Sequence, residues 1–84
     1  MGTMLSDHQD SEHFSYERSW EDIENMLAKA ERLKNAWDMK FLEAKEYNHR
    51  KRMIECLRNM KALEGVIKTL RWTLGDKSIS HPLF

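Results

Sequence analysis

Apolar residues recur at helical spacing along most of the chain and predict two amphipathic helices. In the second half, seven apolar positions alternate spacings of three and four without a break, as in a helical seam three heptads long. This second seam consists of Met53, Cys56, Met60, Leu63, Ile67, Leu70 and Leu74. The first half carries a less regular stripe, formed by Ile23, Met26, Ala30, Leu33, Trp37, Phe41 and Ala44. We therefore expect helices over about residues 19–47 and 52–74.

Residues typical of helix ends support these boundaries. Ser19 provides an N-cap hydroxyl and is followed by Glu21 and Asp22, whose charges suit the first turn of a helix. Gly75 follows the last seam position and is typical of a C-cap. The pattern predicts a flexible acidic arm over residues 1–14, a helical domain over 15–75 and an irregular tail over 76–84.

The connection between the helices has two possible forms. The second seam, extended backwards, lies about 200° around the helix from the first stripe, so a straight rod cannot present both stripes to one partner. A turn near Tyr47–Arg52, with Asn48 in the left-handed conformation, resolves this by making an antiparallel hairpin. The alternative is one continuous helix, since no Gly or Pro lies between Trp20 and Glu64. We favour the hairpin.

A chain of 84 residues is close to the lower limit for a self-sufficient core. Cys56 is the only cysteine, so no disulfide joins parts of the chain, and no set of ligands has the spacing of a structural zinc site. Two helices in one layer also leave apolar surface uncovered. We therefore expect an all-α protein whose hairpins assemble into a homo-oligomeric helical bundle, with the second seam in the oligomer core.

Composition and charge exclude several classes of function. Fourteen basic and fourteen acidic residues cancel, which gives no overall field to attract nucleic acid or an anionic membrane. The charges are nevertheless segregated: residues 1–25 hold seven acids and one base, and residues 26–84 hold thirteen bases and seven acids. No membrane span or signal peptide is apparent, and the single cysteine suits a cytoplasmic protein. We expect no catalytic residue, metal site or cofactor.

The strongest candidate site lies on the outward face of the second helix. Arg58, Gly65 and Trp72 share one line at heptad spacing. The small residues Ala62, Gly65 and Thr69 are expected to leave a shallow groove there. Gly inside a helix costs about 1 kcal/mol relative to Ala, so we expect another group to approach closely here. The ligand would be an acidic protein surface or a phosphate-bearing molecule; the structural alternative is packing of a helix. The candidate residues are Arg58, Lys61, Gly65, Lys68, Arg71 and Trp72.

A second cluster of positive charge falls at the predicted turn. Arg50, Lys51 and Arg52 follow one another there and form a candidate phosphate-binding turn. The zero net charge and the absence of a recognisable nucleic-acid-binding motif make DNA or RNA a less favoured partner.

The segment from Ala62 to Gly75, ALEGVIKTLRWTLG, resembles the C-terminal helix of short, uncharacterised α-helical phage and prophage proteins. The resemblance implies a small effector in the host cytoplasm, which inhibits a host immune protein or sequesters a nucleotide signal. It transfers no site residues.

These observations lead to three functional hypotheses. The first is a non-enzymatic, oligomeric helical binding module that acts by occlusion, with itself and a host protein or phosphate-bearing ligand as partners. The second is an architectural coiled-coil or assembly protein. The third, less favoured, is a nucleic-acid-binding protein that uses the basic turn.

Overall fold

The structure is a computed structural model that describes residues 17–84, and within them the chain forms an antiparallel helical hairpin. Helix α1 spans Trp20–Glu46 and helix α2 spans Arg50–Thr73. Both helices are confirmed, with boundaries within two residues of those expected. The described part of the chain contains no strand and no helix long and apolar enough to cross a membrane. The expected acidic arm, residues 1–14, lies outside the described residues.

Helix α1 begins with a capping box. The backbone N–H of Asp22 donates to the Ser19 hydroxyl at 3.0 Å, and the Ser19 N–H donates to the Asp22 carboxylate at 3.3 Å. Two backbone donors that the first turn leaves unpaired are satisfied in this way. The start predicted at Ser19 is therefore confirmed.

The turn between the helices depends on one left-handed residue. Asn48 has φ of +54°, and the N–H groups of Asn48 and His49 donate to the carbonyls of Lys45 and Ala44 at 3.1 and 2.8 Å. These two bonds form a Schellman motif, which ends α1 and reverses the chain. The hairpin and the role of Asn48 are confirmed, and the alternative of one continuous helix is wrong.

We expect the backbone at Asn48 to select the residues that this position tolerates. Because a β-branched side chain clashes with the backbone at positive φ, Asn48→Val should lower the free energy of unfolding by about 1–2 kcal/mol. Asn48→Gly, which has no such clash, should leave it within about 0.5 kcal/mol of the parent. Urea unfolding followed by circular dichroism measures both changes, and equal stabilities of the two variants would contradict the turn.

The core lies along the line where α1 meets α2. Every residue of the second seam is at least half-buried, and Cys56 has no exposed surface. The seam thus packs against α1 of the same chain, while its place in an oligomer core remains a prediction. On α1 the half-buried or buried residues that face the seam at matching spacing are Ile23, Leu27, Ala30, Lys34, Trp37, Phe41 and Ala44, and Ala28 and Glu31 beside them are also half-buried.

Two residues of the expected α1 stripe do not belong to this core. Met26 and Leu33 are 52% and 54% exposed, and Leu27 and Lys34 take the facing positions. The reason is geometric, because packing against an unbroken heptad seam requires unbroken alternation of three and four on the partner helix. The structural set provides that alternation, whereas the expected stripe contains two consecutive spacings of four.

Helix α2 ends in a second Schellman motif, and the tail then folds back. Gly75 has φ of +90°, and the N–H of Asp76 donates to the Arg71 carbonyl at 2.9 Å. The Asp76 carboxylate accepts bonds from the hydroxyl and backbone N–H of Ser78 at 2.7 and 2.9 Å. These bonds, with the nearby Arg71 guanidinium, lower the pKa of Asp76. The expected C-cap and irregular tail are confirmed.

Candidate binding surfaces

The six candidate residues of α2 do not form one site. Gly65 lies in a groove beside the tail, Lys68 and Arg71 line a cleft between the helices, and Arg58 lines a depression on α2. Trp72 is 48% exposed and lines none of these three sites. The expected ring of cations around a glycine and tryptophan is therefore divided among separate surfaces.

Gly65 faces open space. A Cβ atom built on it would meet no atom within 4 Å, and the Thr69 hydroxyl donates to its carbonyl at 2.9 Å. The expectation that another group approaches this backbone closely is not met within the described chain. Helix α1 does not pack there, because the second seam holds it on another side of α2.

Two of the four candidate cations, Lys61 and Arg71, already have acidic partners. Arg71 contacts Glu31 of α1 at 2.6 Å and Asp76 of the tail at 3.6 Å. Lys61 lies 3.8 Å from Glu64, in an exposed pair that contributes little to stability. A ligand at Arg71 would therefore compete with two carboxylates.

The expected basic turn forms the first turn of α2. The His49 ring accepts from the Arg52 N–H at 3.3 Å and caps the helix. The Arg52 guanidinium donates to the Glu55 carboxylate at 2.7 Å, and this hydrogen bond raises the pKa of Arg52. The same guanidinium lies 5.8 Å from the centre of the Trp37 ring. Arg50 and Lys51 are exposed, whereas Arg52 is half-buried. Phosphate binding at Arg50, Lys51 and Arg52 remains a prediction.

Apolar residues of both helices lie along one side of the hairpin, at neighbouring positions of the heptad pattern. We define this apolar flank by the described residues Met26, Leu33, Ala62, Val66 and Leu70. Leu70 lines both a groove of about 560 Å³ and a smaller cleft of about 220 Å³ near the start of α1, so the two depressions adjoin. The other residues of the groove are Ala62, Gly65, Val66, Thr69, Pro82 and Leu83.

The groove contains the small residues that the sequence pattern predicts there, but its lining is apolar and not cationic. Ala62, Gly65 and Thr69 were expected to clear a shallow depression, and all three line it. The opposite wall comes from Pro82 and Leu83 of the tail, which the sequence pattern did not place there. No charged side chain is among its lining residues, so the groove suits apolar groups.

The cleft on the other side of the hairpin has a different character. We call it the interhelical cleft; its volume is about 500 Å³ and both helices contribute charged residues to it. Its lining residues are Glu31, Lys34, Asn35, Glu64, Ile67, Lys68, Arg71 and Ile79. Sequence reasoning missed Lys34, although unbroken heptad spacing on α1 places it beside Leu27 and Ala30.

Among residues 17–84, no group of three or more His, Cys, Asp or Glu side chains is placed to hold a metal ion. A scan against protein-family models matches no family, and searches of curated proteins and of solved structures find no similar protein. The resemblance to phage proteins remains a prediction.

Proposed function

We propose that the protein is a non-enzymatic helical binding module that works as a homo-oligomer. Its hairpins would pair through the apolar flank to form a helical bundle, and the assembled surface would act on a partner by occlusion. The single observation that carries the proposal is the apolar flank itself, which one hairpin leaves uncovered.

The flank contains the kind of surface that helices use to pack. Met26, Leu33 and Val66 are 52%, 54% and 43% exposed although each is a large apolar residue. Between them the small side chains of Ala62 and Gly65 leave room for another helix to approach. Burial of apolar surface contributes about 25 cal/mol per Å², which favours covering this flank.

Charges at the two ends of the flank favour a second copy as the covering group. Asp22 lines the flank near the start of α1, beside Arg18. Lys40 continues the line of Met26 and Leu33 at seven-residue spacing toward the loop, and its ammonium lies 4.3 Å from the centre of the Trp37 ring. An isologous contact pairs a surface with itself. If the two hairpins run in opposite directions, Asp22 of one copy lies near Lys40 of the other, at both ends of the interface.

The buried thiol supports a role without bond chemistry. Cys56 is the only cysteine of the chain and has no exposed surface. A nucleophile must reach its substrate, and this sulfur is enclosed between the helices. The proposed activity therefore rests on surface complementarity.

Self-association gives a direct test of the proposal. We expect sedimentation equilibrium to yield a mass at least twice the 10.1 kDa of one chain at micromolar concentration, with dissociation on dilution. Native mass spectrometry of protein purified from its own cells gives the stoichiometry and shows whether a second protein co-purifies. A single-chain mass at every concentration up to about 100 µM would overturn the homo-oligomer, since contacts that weak are of the non-specific kind.

A further inference from the structure

The interhelical cleft lies on the side of the hairpin where α1 and α2 are joined by the ion pair of Glu31 and Arg71. A volume of about 500 Å³ falls within the range of small-molecule sites. Charged and amide groups come from both helices, and apolar walls come from Ile67 of α2 and Ile79 of the tail. The cleft therefore combines polar and apolar recognition in one place.

The ion pairs of the described chain do not include the two lysines of the cleft. Glu31 is engaged by Arg71 at 2.6 Å, and Glu64 lies 3.8 Å from Lys61, which is outside the cleft. Within residues 17–84, neither Lys34 nor Lys68 has a carboxylate oxygen within 4 Å. The lining residues carry three positive and two negative charges, a net charge of +1, and among the three cations only Arg71 is held by a carboxylate of the described chain.

Both lysines are half-buried, which is unusual for this residue. Lys34 also occupies a core-facing heptad position of α1, where the adjacent core-facing residues of the same helix are Ala30 and Trp37. A lysine at such a position reduces the stability of a helical pair relative to an apolar residue. The chain thus places a cation where packing alone would favour leucine, and that cation lines the cleft.

We propose that the interhelical cleft binds a small phosphate monoester with an apolar body. Lys34 and Lys68 supply the positive charge for the phosphate from opposite helices, and the Asn35 amide supplies a neutral donor. Ile67 and Ile79 contact the apolar part of the ligand. The site lies apart from the apolar flank, so it does not depend on self-association.

Phenyl phosphate is the probe, with inorganic phosphate as the comparison that lacks an apolar body. Titration of the ¹⁵N-labelled protein should shift the amide signals of Asn35, Lys68 and Ile79 in a saturable manner. We expect phenyl phosphate to bind at least five-fold more tightly than inorganic phosphate because only it uses the apolar walls. Equal affinities, or shifts that do not saturate, would overturn the proposal.

Three variants separate a binding role for the lysines from a structural one. Lys34→Leu should raise the midpoint of thermal unfolding and weaken phenyl phosphate binding at least ten-fold. Lys68→Gln should weaken binding by a similar factor. Lys29→Gln, which removes the same charge at an exposed site of α1 outside the cleft, should change affinity less than two-fold.

Thermal unfolding of Lys34→Leu confirms that its hairpin is intact, so a loss of binding reports the cation itself. If Lys34→Leu is more stable but binds phenyl phosphate as well as the Lys29→Gln control does, Lys34 only sets the helix register and the proposal is wrong. Sedimentation of the same samples shows whether self-association persists, which keeps this result separate from the proposed assembly.

Discussion

Carboxylates placed on the apolar flank are expected to separate the copies of the protein. In the double variant Leu33→Glu, Val66→Glu, each copy would have to bury two charges in an interface formed there, and each unpaired buried charge costs several kcal/mol. The dissociation constant for self-association should rise at least about 100-fold, which corresponds to roughly 2.7 kcal/mol. Sedimentation equilibrium across a dilution series measures this change.

A matched control uses apolar residues that point away from the flank. Met39 and Trp72 are 66% and 48% exposed, so Met39→Glu, Trp72→Glu adds the same two charges elsewhere. The control should keep the parent mass, and circular dichroism should show both variants to be helical. Equal assembly of the flank variant and the parent would show that the interface lies on another surface.

Charge exchange tests the orientation of the two copies. Lys40→Asp alone brings like charges together at both ends of an antiparallel interface and should weaken assembly, and it leaves the capping box at Asp22 intact. The combined change Asp22→Lys, Lys40→Asp restores opposite charges and should recover it. Additive effects of the two substitutions would contradict the antiparallel arrangement while leaving the flank itself as the interface.

A charge at Cys56, the one fully buried side chain among residues 17–84, is expected to unfold the hairpin. Cys56 has no exposed surface, and α1 packs over it along the whole seam. In Cys56→Asp a carboxylate must either be buried without a partner or take up a proton, at a cost of at least about 3 kcal/mol. Small single cores supply about 3–5 kcal/mol, so the variant should lose most of its helical circular dichroism at 25 °C.

The neighbouring residue Ile54 provides the control for this experiment. It lies on the same turn of α2 and is 45% exposed, so Ile54→Asp introduces the same side chain with the same helix propensity. We expect Ile54→Asp to remain helical and to unfold cooperatively in urea. If Cys56→Asp proved as stable as Ile54→Asp, the two helices would not enclose the seam as the structure shows.

Local chemistry explains why the helix boundaries were predictable. At the start of α1, the side chains of Ser19 and Asp22 accept hydrogen bonds from free backbone N–H groups. At the ends of α1 and α2, Asn48 and Gly75 adopt the left-handed conformation that closes a helix. These effects act within a few residues. The second seam was equally accessible, because an unbroken heptad pattern specifies its buried face without reference to a partner.

The α1 face and the binding surfaces required the folded chain. Met26 and Leu33 are as apolar as the residues that α1 buries, so composition alone could not exclude them. Only packing against the second seam decides that Leu27 and Lys34 face inward, because the two helices must present the same alternation of spacings. This packing leaves Met26 and Leu33 on the apolar flank and brings Lys34 into the interhelical cleft.

The amino-acid sequence by itself determined the helical segments, the helix ends at Ser19 and Gly75 and the buried face of α2, since each depends on interactions within a few residues or within one helix. It favoured a reversing turn at Asn48 but left one continuous helix as the alternative, which the tertiary structure excluded. Only the tertiary structure decided which residues of α1 are buried, that the tail lines the groove beside Gly65, and that Arg71 is held by Glu31 and Asp76. These features join residues far apart in the chain, and their positions are set by how the two helices and the tail pack together.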